Sequence, residues 1–375
     1  MLSAVRVLWS FHPQPGCWYP AVGIMHELQA RGHEVVGLSG PSVATTLAAL
    51  GIELRTGGIP PWPSGLGCGP PVDLDQALRR KVHVARAHRD HIARLLREEP
   101  FALVLADGFR LGVGFAADTA GVPWVSYTHH QFDDSATSEG MVHMWWNRFP
   151  HDAPLRETFV AWWHILRAAL GVGPEPLPKS LATWWNLSPH AALVLGLPEL
   201  LGHAAPAPTW VHHVGSSLWD GLPEPPPDWL DELGPAVLVA LSAGTDEDAG
   251  TLVPAAAAAR ERGLDVIATL SIPRDVLALP DCVRTALSIR HGAMLPRVRA
   301  VVATGGLGTV THVVCAGLPA VLAPRPNDQF LEPMLGLRTY GACYPAWTAE
   351  AADRLGQAEP VPCKRHWSGR VGGRH

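Results

Sequence analysis

Lysine is nearly missing from this chain. Its three residues, at 81, 179 and 364, never follow a glycine, so a Walker-type phosphate loop is excluded. Positive charge as a whole is short: 29 Lys and Arg against 34 Asp and Glu give a net charge of −5, which withholds the basic patch that nucleic acid requires. The six cysteines, at 17, 68, 282, 315, 343 and 363, form no CxxC pair and no ladder, so neither a zinc site nor a disulfide framework is expected and a reducing compartment fits. No uninterrupted apolar run reaches the roughly 18 to 20 residues that span a bilayer. The apolar start, Met1–Ser10, breaks at His12-Pro13 without the cleavage pattern of a signal peptide. A cytoplasmic protein without membrane insertion is the expectation. A G-x-G-x-x-G after the first strand is also absent, since Pro13–Pro20 offers only Gly16, and no G-x-S-x-G elbow occurs; a dinucleotide oxidoreductase and a serine hydrolase lose their support.

What is present describes a globular α/β chain. Its 375 residues are 47% hydrophobic and 17% charged, enough for two separate cores. The 37 glycines and 36 prolines are spread along the chain as punctuation between strands and helices. Strands are predicted at 5–10, 34–38, 52–54, 102–106, 124–127 and 191–195, alternating with helices at 20–31, 42–50, 73–99 and 112–120. That rhythm argues for a parallel sheet covered on both faces. His83, His88 and His91 on the long helix lack the His-Glu-x-x-His metal spacing and are expected on a solvated face. From 129 to 181 the rhythm is lost, and tryptophans pair up at 145-146, 162-163 and, just beyond, 184-185. Most of the 15 tryptophans fill ordinary core, and a few suit a hydrophobic acceptor.

Four prolines at 223, 225, 226 and 227 mark the clearest boundary. An N-terminal domain of residues 1–215, a linker of 216–234 and a C-terminal domain of 235–347 are expected, with an atypical, partly disordered tail at 348–375. In the second domain the predicted strands are 236–241, 265–270, 286–289, 300–303 and 320–323, with helices around 249–262 and 292–297.

The second domain is organised by the stretch from Val301 to Gln329. A strand runs into Thr304-Gly305-Gly306-Leu307-Gly308-Thr309, then a helix ends near Gly317, and Asp328-Gln329 follows a second strand. Glycines between strand and helix let backbone N–H groups approach an anion, and the helix N-terminus adds roughly half a positive charge. A tight turn alone would account for the hexapeptide; the spacing to Gly317-x-Pro319 and Asp328-Gln329 resembles the nucleotide-sugar motif of GT-B glycosyltransferases, in particular the bacterial natural-product enzymes. The resemblance runs from the first strand to about Tyr344. It implies two Rossmann-like, doubly wound parallel-sheet domains facing across a cleft, and metal-independent, inverting transfer of a sugar from a nucleoside diphosphate to a hydrophobic small-molecule aglycone. No cofactor or metal is implied, and a homodimer or an auxiliary protein would be compatible.

The resemblance places the donor on Ser242, Gly244 and Thr245 of one loop, on Thr304, Gly305, Gly306, Gly308 and Thr309 of the glycine turn, on Ser288, and on the sugar-holding pair Asp328 and Gln329. It places the acceptor base in a Gly-His-x-x-Pro motif, with a supporting carboxylate at Asp107. Here Gly16-Cys17-Trp18-Tyr19-Pro20 puts Cys17 where that histidine belongs. A thiol with a pKa of about 8.5 is a poor base for a hydroxyl, and His12 is the candidate replacement. Thr304 stands in place of a histidine that touches the diphosphate, and Ser288 where an aromatic residue stacks on the base. A catalytically degenerate homologue that binds nucleotide-sugar or a partner protein, and a nucleotide-sugar epimerase, are the alternative readings.

Overall fold

The computed structural model describes residues 3–56, 74–108, 110–128, 164–171, 188, 190–196, 209–240, 249–269, 279, 281–286, 288–323 and 344–345. They fall into two compact units that divide between Leu222 and Pro223.

The first unit is built on a seven-stranded sheet, all parallel, in the order β3-β2-β1-β4-β5-β6-β7. Its strands are β1 (Arg6–Ser10), β2 (Glu34–Leu38), β3 (Glu53–Arg55), β4 (Leu103–Asp107), β5 (Trp124–Thr128), β6 (Ala192–Val194) and β7 (Val211–His213). The side-chain period of two sends neighbouring residues of β1 into different cores. Val7 and Trp9 join a cluster with Trp18, Met25 and Leu47 on one face. Leu8 joins Ile92, Val104, Val113 and Ala117 on the other. A strand buried on both sides must be apolar in its interior, as Val7, Leu8 and Trp9 are.

The helix expected at 20–31 is a 3-10 turn (Tyr19–Ala21) followed by α2 (Val22–Ala30), and a further short helix, α1 (Pro15–Trp18), precedes it. Pro15 and Pro20 lack the N–H that a helix interior uses, so each opens a new piece in its first turn. Further on come α3 (Ala44–Ala49), the long α4 (Leu74–Glu98) and α5 (Val113–Ala120). The expectation of a solvated histidine face on α4 fails at His88, which is 1% exposed. The residue faces the sheet because α4 docks closely on the β4–α5 connection. Gly112, at φ +93, makes that approach possible: a Cβ there would lie 2.2 Å from the Ala85 carbonyl oxygen of α4.

The second unit carries a six-stranded parallel sheet in the order β10-β9-β8-β11-β12-β13. Its strands are β8 (Ala236–Ala240), β9 (Asp265–Thr269), β10 (Val283–Ala286), β11 (Val298–Ala303), β12 (Ala320–Leu322) and β13 (Tyr344–Pro345). The helices are α6 (Ala249–Glu261), α7 (His291–Met294) and α8 (Leu307–Cys315). Val237, Val239, Leu252, Ala256, Val266 and Val302 form its core. The strand expected at 286–289 is instead Val283–Ala286, held in register by Val283 against Val266. Ser288 therefore lies beyond the strand and is exposed.

Each sheet reads 3-2-1-4-5-6 from one edge, the doubly wound order, with an added seventh strand in the first. In such sheets ligands sit outside the C-terminal strand ends where the order reverses. Those points are the ends of β1 and β4 in the first unit and of β8 and β11 in the second. Among the described residues no helix is long and apolar enough to cross a membrane.

Candidate functional site

At the β1/β4 reversal the structure gathers a buried polar cluster. Asp107, the last residue of β4, is 1% exposed, and its Oδ2 accepts from the backbone N–H of His12 at 3.1 Å. The carboxylate thus holds the backbone of the β1–α1 turn. His12 is itself buried, and its Nδ1 accepts from the Gln14 backbone N–H at 3.2 Å. In the neutral ring the proton is then on Nε2, which makes that atom a donor. Burial, followed by the Arg110 charge, pulls the His12 pKa from 6.5 down to about 4. The ring is neutral at physiological pH.

Cys17 lies in α1, a half-buried residue whose backbone N–H donates to the Gln14 carbonyl at 2.9 Å. Desolvation pushes its thiol pKa well up, the Asp107 charge pushes it further, and Arg110 opposes. A protonated thiol neither takes a proton from an acceptor nor attacks one. Tyr127 of β5 is fully buried and its hydroxyl accepts from Trp9 Nε1 at 3.2 Å; burial and then Asp107 raise its pKa.

Two members of this cluster were not read from the sequence. Arg110, 2% exposed, sends its Nη2 to the Phe11 carbonyl and its Nη1 to His88 Nε2 at 3.1 Å. The only signal in the sequence is an arginine three residues after Asp107, in an otherwise apolar stretch at a strand's C-terminal end. His88 was visible as a histidine on a helix, and its burial depends on a docking that local pattern does not encode. Burial, then Arg110, lowers the His88 pKa to about 3.

At the β8/β11 reversal the glycine turn takes the predicted shape. Thr304 is 3% exposed and donates its N–H to the Ala240 carbonyl at 3.4 Å, tying the end of β11 to β8. Gly305 sits at φ +102, a conformation that L side chains rarely adopt, and so turns the chain toward the helix. Gly306 is the N-cap of α8 and offers no side-chain cap. The cap position thus supplies no side-chain acceptor to the first helical N–H groups, the arrangement that suits an anion. A Cβ on Gly308 would meet nothing within 4 Å, so the first turn of α8 has free space beside it. Thr309 is half-buried in the same turn. Further along α8, His312 Nδ1 donates to the Gly308 carbonyl at 2.8 Å, and its ring stacks on His291 of α7 with centroids 4.6 Å apart. These two histidines were also not singled out in the sequence. Ser242, Gly244, Thr245, Asp328 and Gln329 lie outside the described residues, as do the three tryptophan pairs.

No protein-family model matches this sequence, and no curated protein is similar to it. Solved structures are. The chain is similar to CalG4, the calicheamicin glycosyltransferase, at 21% identity and TM-score 0.71, over 97% of this chain and 93% of that one. It is similar to the glycosyltransferase VinC in complex with DTDP at 19% identity and TM-score 0.65, over 95% and 92% of the two chains. It is also similar to the spinosyn rhamnosyltransferase SpnG, complexed with spinosyn aglycone, at 20% identity and TM-score 0.64, over 94% and 89%. The fold is that of these proteins, two Rossmann-like domains of the GT-B kind.

Proposed function

We propose that the chain is a GT-B glycosyltransferase that moves a sugar from a nucleoside diphosphate to a hydrophobic small-molecule natural product in the cytoplasm. Residues 235–347 would bind the nucleotide-sugar and residues 1–215 the acceptor. The observation that carries this reading is the uncapped N-terminus of α8 behind Gly305 and Gly306, set at the strand-order reversal of its sheet. Backbone donors aimed at the departing diphosphate neutralise charge where it develops, and they need no metal to do so. The reading is supported by VinC, which was solved with DTDP, and by SpnG, solved with an aglycone. Asp328 and Gln329 would hold sugar hydroxyls, with Ser242, Gly244, Thr245, Thr304 and Thr309 around the phosphates and Ser288 near the nucleoside. Direct displacement at the anomeric carbon would invert its configuration.

A second reading is favoured by the β1/β4 cluster. Cys17 is held as a thiol, and the His12 ring presents a donor at Nε2, so a nucleotide-sugar-binding homologue without transfer activity fits the same fold. Titration calorimetry with UDP and with dTDP, in magnesium and then in EDTA, tests the cradle. Binding that survives EDTA is expected, and loss of all binding in EDTA would rule out the metal-free cradle. An acceptor screen with UDP-glucose and dTDP-glucose then separates the two readings, because only the transferase produces a glycoside with release of the nucleotide.

A further inference from the structure

The second sheet has a cavity of about 140 Å³ at the N-terminal end of its strands, the end away from the glycine turn. Val237 of β8, Leu264 before β9 and Pro319 before β12 give it an apolar lining, and the last turn of α6 closes one side. Its charged lining residues are both arginines, Arg262 and Arg299, and they come from different elements. Arg262 directly follows α6, and its Nη1 donates to the Ala258 carbonyl at 3.0 Å, which holds the guanidinium back along the helix end. Arg299 belongs to β11, where the pairing is irregular. Val298 pairs with Ala236 and Ala300 with Val237, so Arg299 is the extra residue of a bulge. The strand lies between β8 and β12, and bulges between parallel strands are rare. Regular alternation would send Arg299 to the face opposite Ala300, which packs on the core that α6 covers. The bulge re-aims the side chain, and both residues line the same cavity.

Two permanent cations with donors only now face one apolar recess. Among the described residues neither Arg262 nor Arg299 is paired with a carboxylate. Of the acids close in sequence, Asp265 accepts from the Gly234 backbone N–H at 2.8 Å and Glu261 is exposed; neither lines the cavity. We propose that this cavity binds a small carboxylate with a compact apolar body, the carboxylate lying between Arg262 and Arg299 and the body against Val237, Leu264 and Pro319. A carboxylate matches the planar fork of a guanidinium in a two-point contact. An apolar cavity of about 150 Å³ accommodates a benzene ring, which sets the body at about six carbon atoms. The site stands on the bulge and the cavity, at the far end of the sheet from the diphosphate cradle, and is independent of the transferase reading.

The test is nuclear magnetic resonance of the full chain labelled with 2H and 15N, titrated with sodium benzoate at low ionic strength, where exposed charges are least screened. Saturable amide shifts are expected at Leu264, Arg299 and Ala300, with Gly305–Thr309 unmoved. Benzamide, which has the same shape without the charge, and inorganic phosphate, which has the charge without the ring, are each expected to bind about fivefold or more weakly. Arg299→Met and Arg262→Met replace exposed residues and keep an apolar stem. Each is expected to weaken benzoate about threefold or more, with Tm unchanged. Benzamide binding as tightly as benzoate would mean that the guanidiniums read no charge. Phosphate binding as tightly would mean that the apolar lining contributes nothing. Either result overturns the proposal, and neither needs a variant to fold. Undiminished benzoate binding in both variants, an absence of saturable shifts, or shifts confined to Gly305–Thr309 would overturn it as well.

Discussion

His12 and His88 illustrate how far the surroundings of a side chain reset its chemistry. Both are neutral because burial, reinforced by the Arg110 charge, opposes protonation; their pKa values fall from 6.5 to about 4 and about 3. A folded-state pKa below the unfolded one means that the unfolded chain binds more protons once the pH drops under 6.5. The stability these rings contribute is complete above 6.5 and is lost as pH falls through about 4 for His12 and about 3 for His88. Calorimetry from pH 7 to pH 5, a range above most carboxylate titrations, should show a falling Tm. His88→Gln, which keeps an acceptor for Arg110, should fall less steeply. Equal slopes for the two proteins would mean that His88 is not buried in its neutral form.

Elements meet in this protein where glycine removes an obstacle. The contact between α4 and the start of α5 rests on Gly112, which has both a left-handed backbone and no room for a Cβ. Gly112→Ala combines backbone strain with a collision against the Ala85 carbonyl, and a loss of about 2 to 4 kcal/mol is expected in urea unfolding. Because α4 supplies His88, the same variant should let that ring titrate closer to pH 6.5. A loss below about 1 kcal/mol would mean that α4 moves aside at little cost. The three-piece start of the first helical region follows the opposite rule. There prolines impose the breaks, and the pieces place Cys17 in α1, apart from α2.

For the whole molecule, the division of labour between the two units makes a separate prediction. If the second unit binds the nucleotide, hydrogen exchange in the presence of dTDP or UDP should slow at Gly305–Thr309 and the following turn of α8. The strands β1–β7 should be unaffected. Protection confined to the first unit would reverse the assignment of donor and acceptor domains. The isolated cores support such local behaviour, since each sheet has its own hydrophobic clusters on its faces.

Much of this architecture is written locally in the chain. Apolar runs of strand length, helices between them, and glycine or proline at the joins determine two parallel α/β sheets, because these signals act over a few residues and require no knowledge of distant partners. The glycine turn belongs to the same class: Gly305, at φ +102, turns the chain between a buried strand and a helix, a requirement that acts over a few residues. The buried cluster does not. Arg110 meets Phe11 across 99 positions, and Asp107 meets His12 across 95, because β1 and β4 become neighbours only when the sheet order reverses between them. No local period encodes that adjacency. Asp107 was legible as a carboxylate at a strand end; that an arginine is buried beside the same turn, and that His88 is folded inward to accept from that arginine, was decided by the packing of α4 against the sheet.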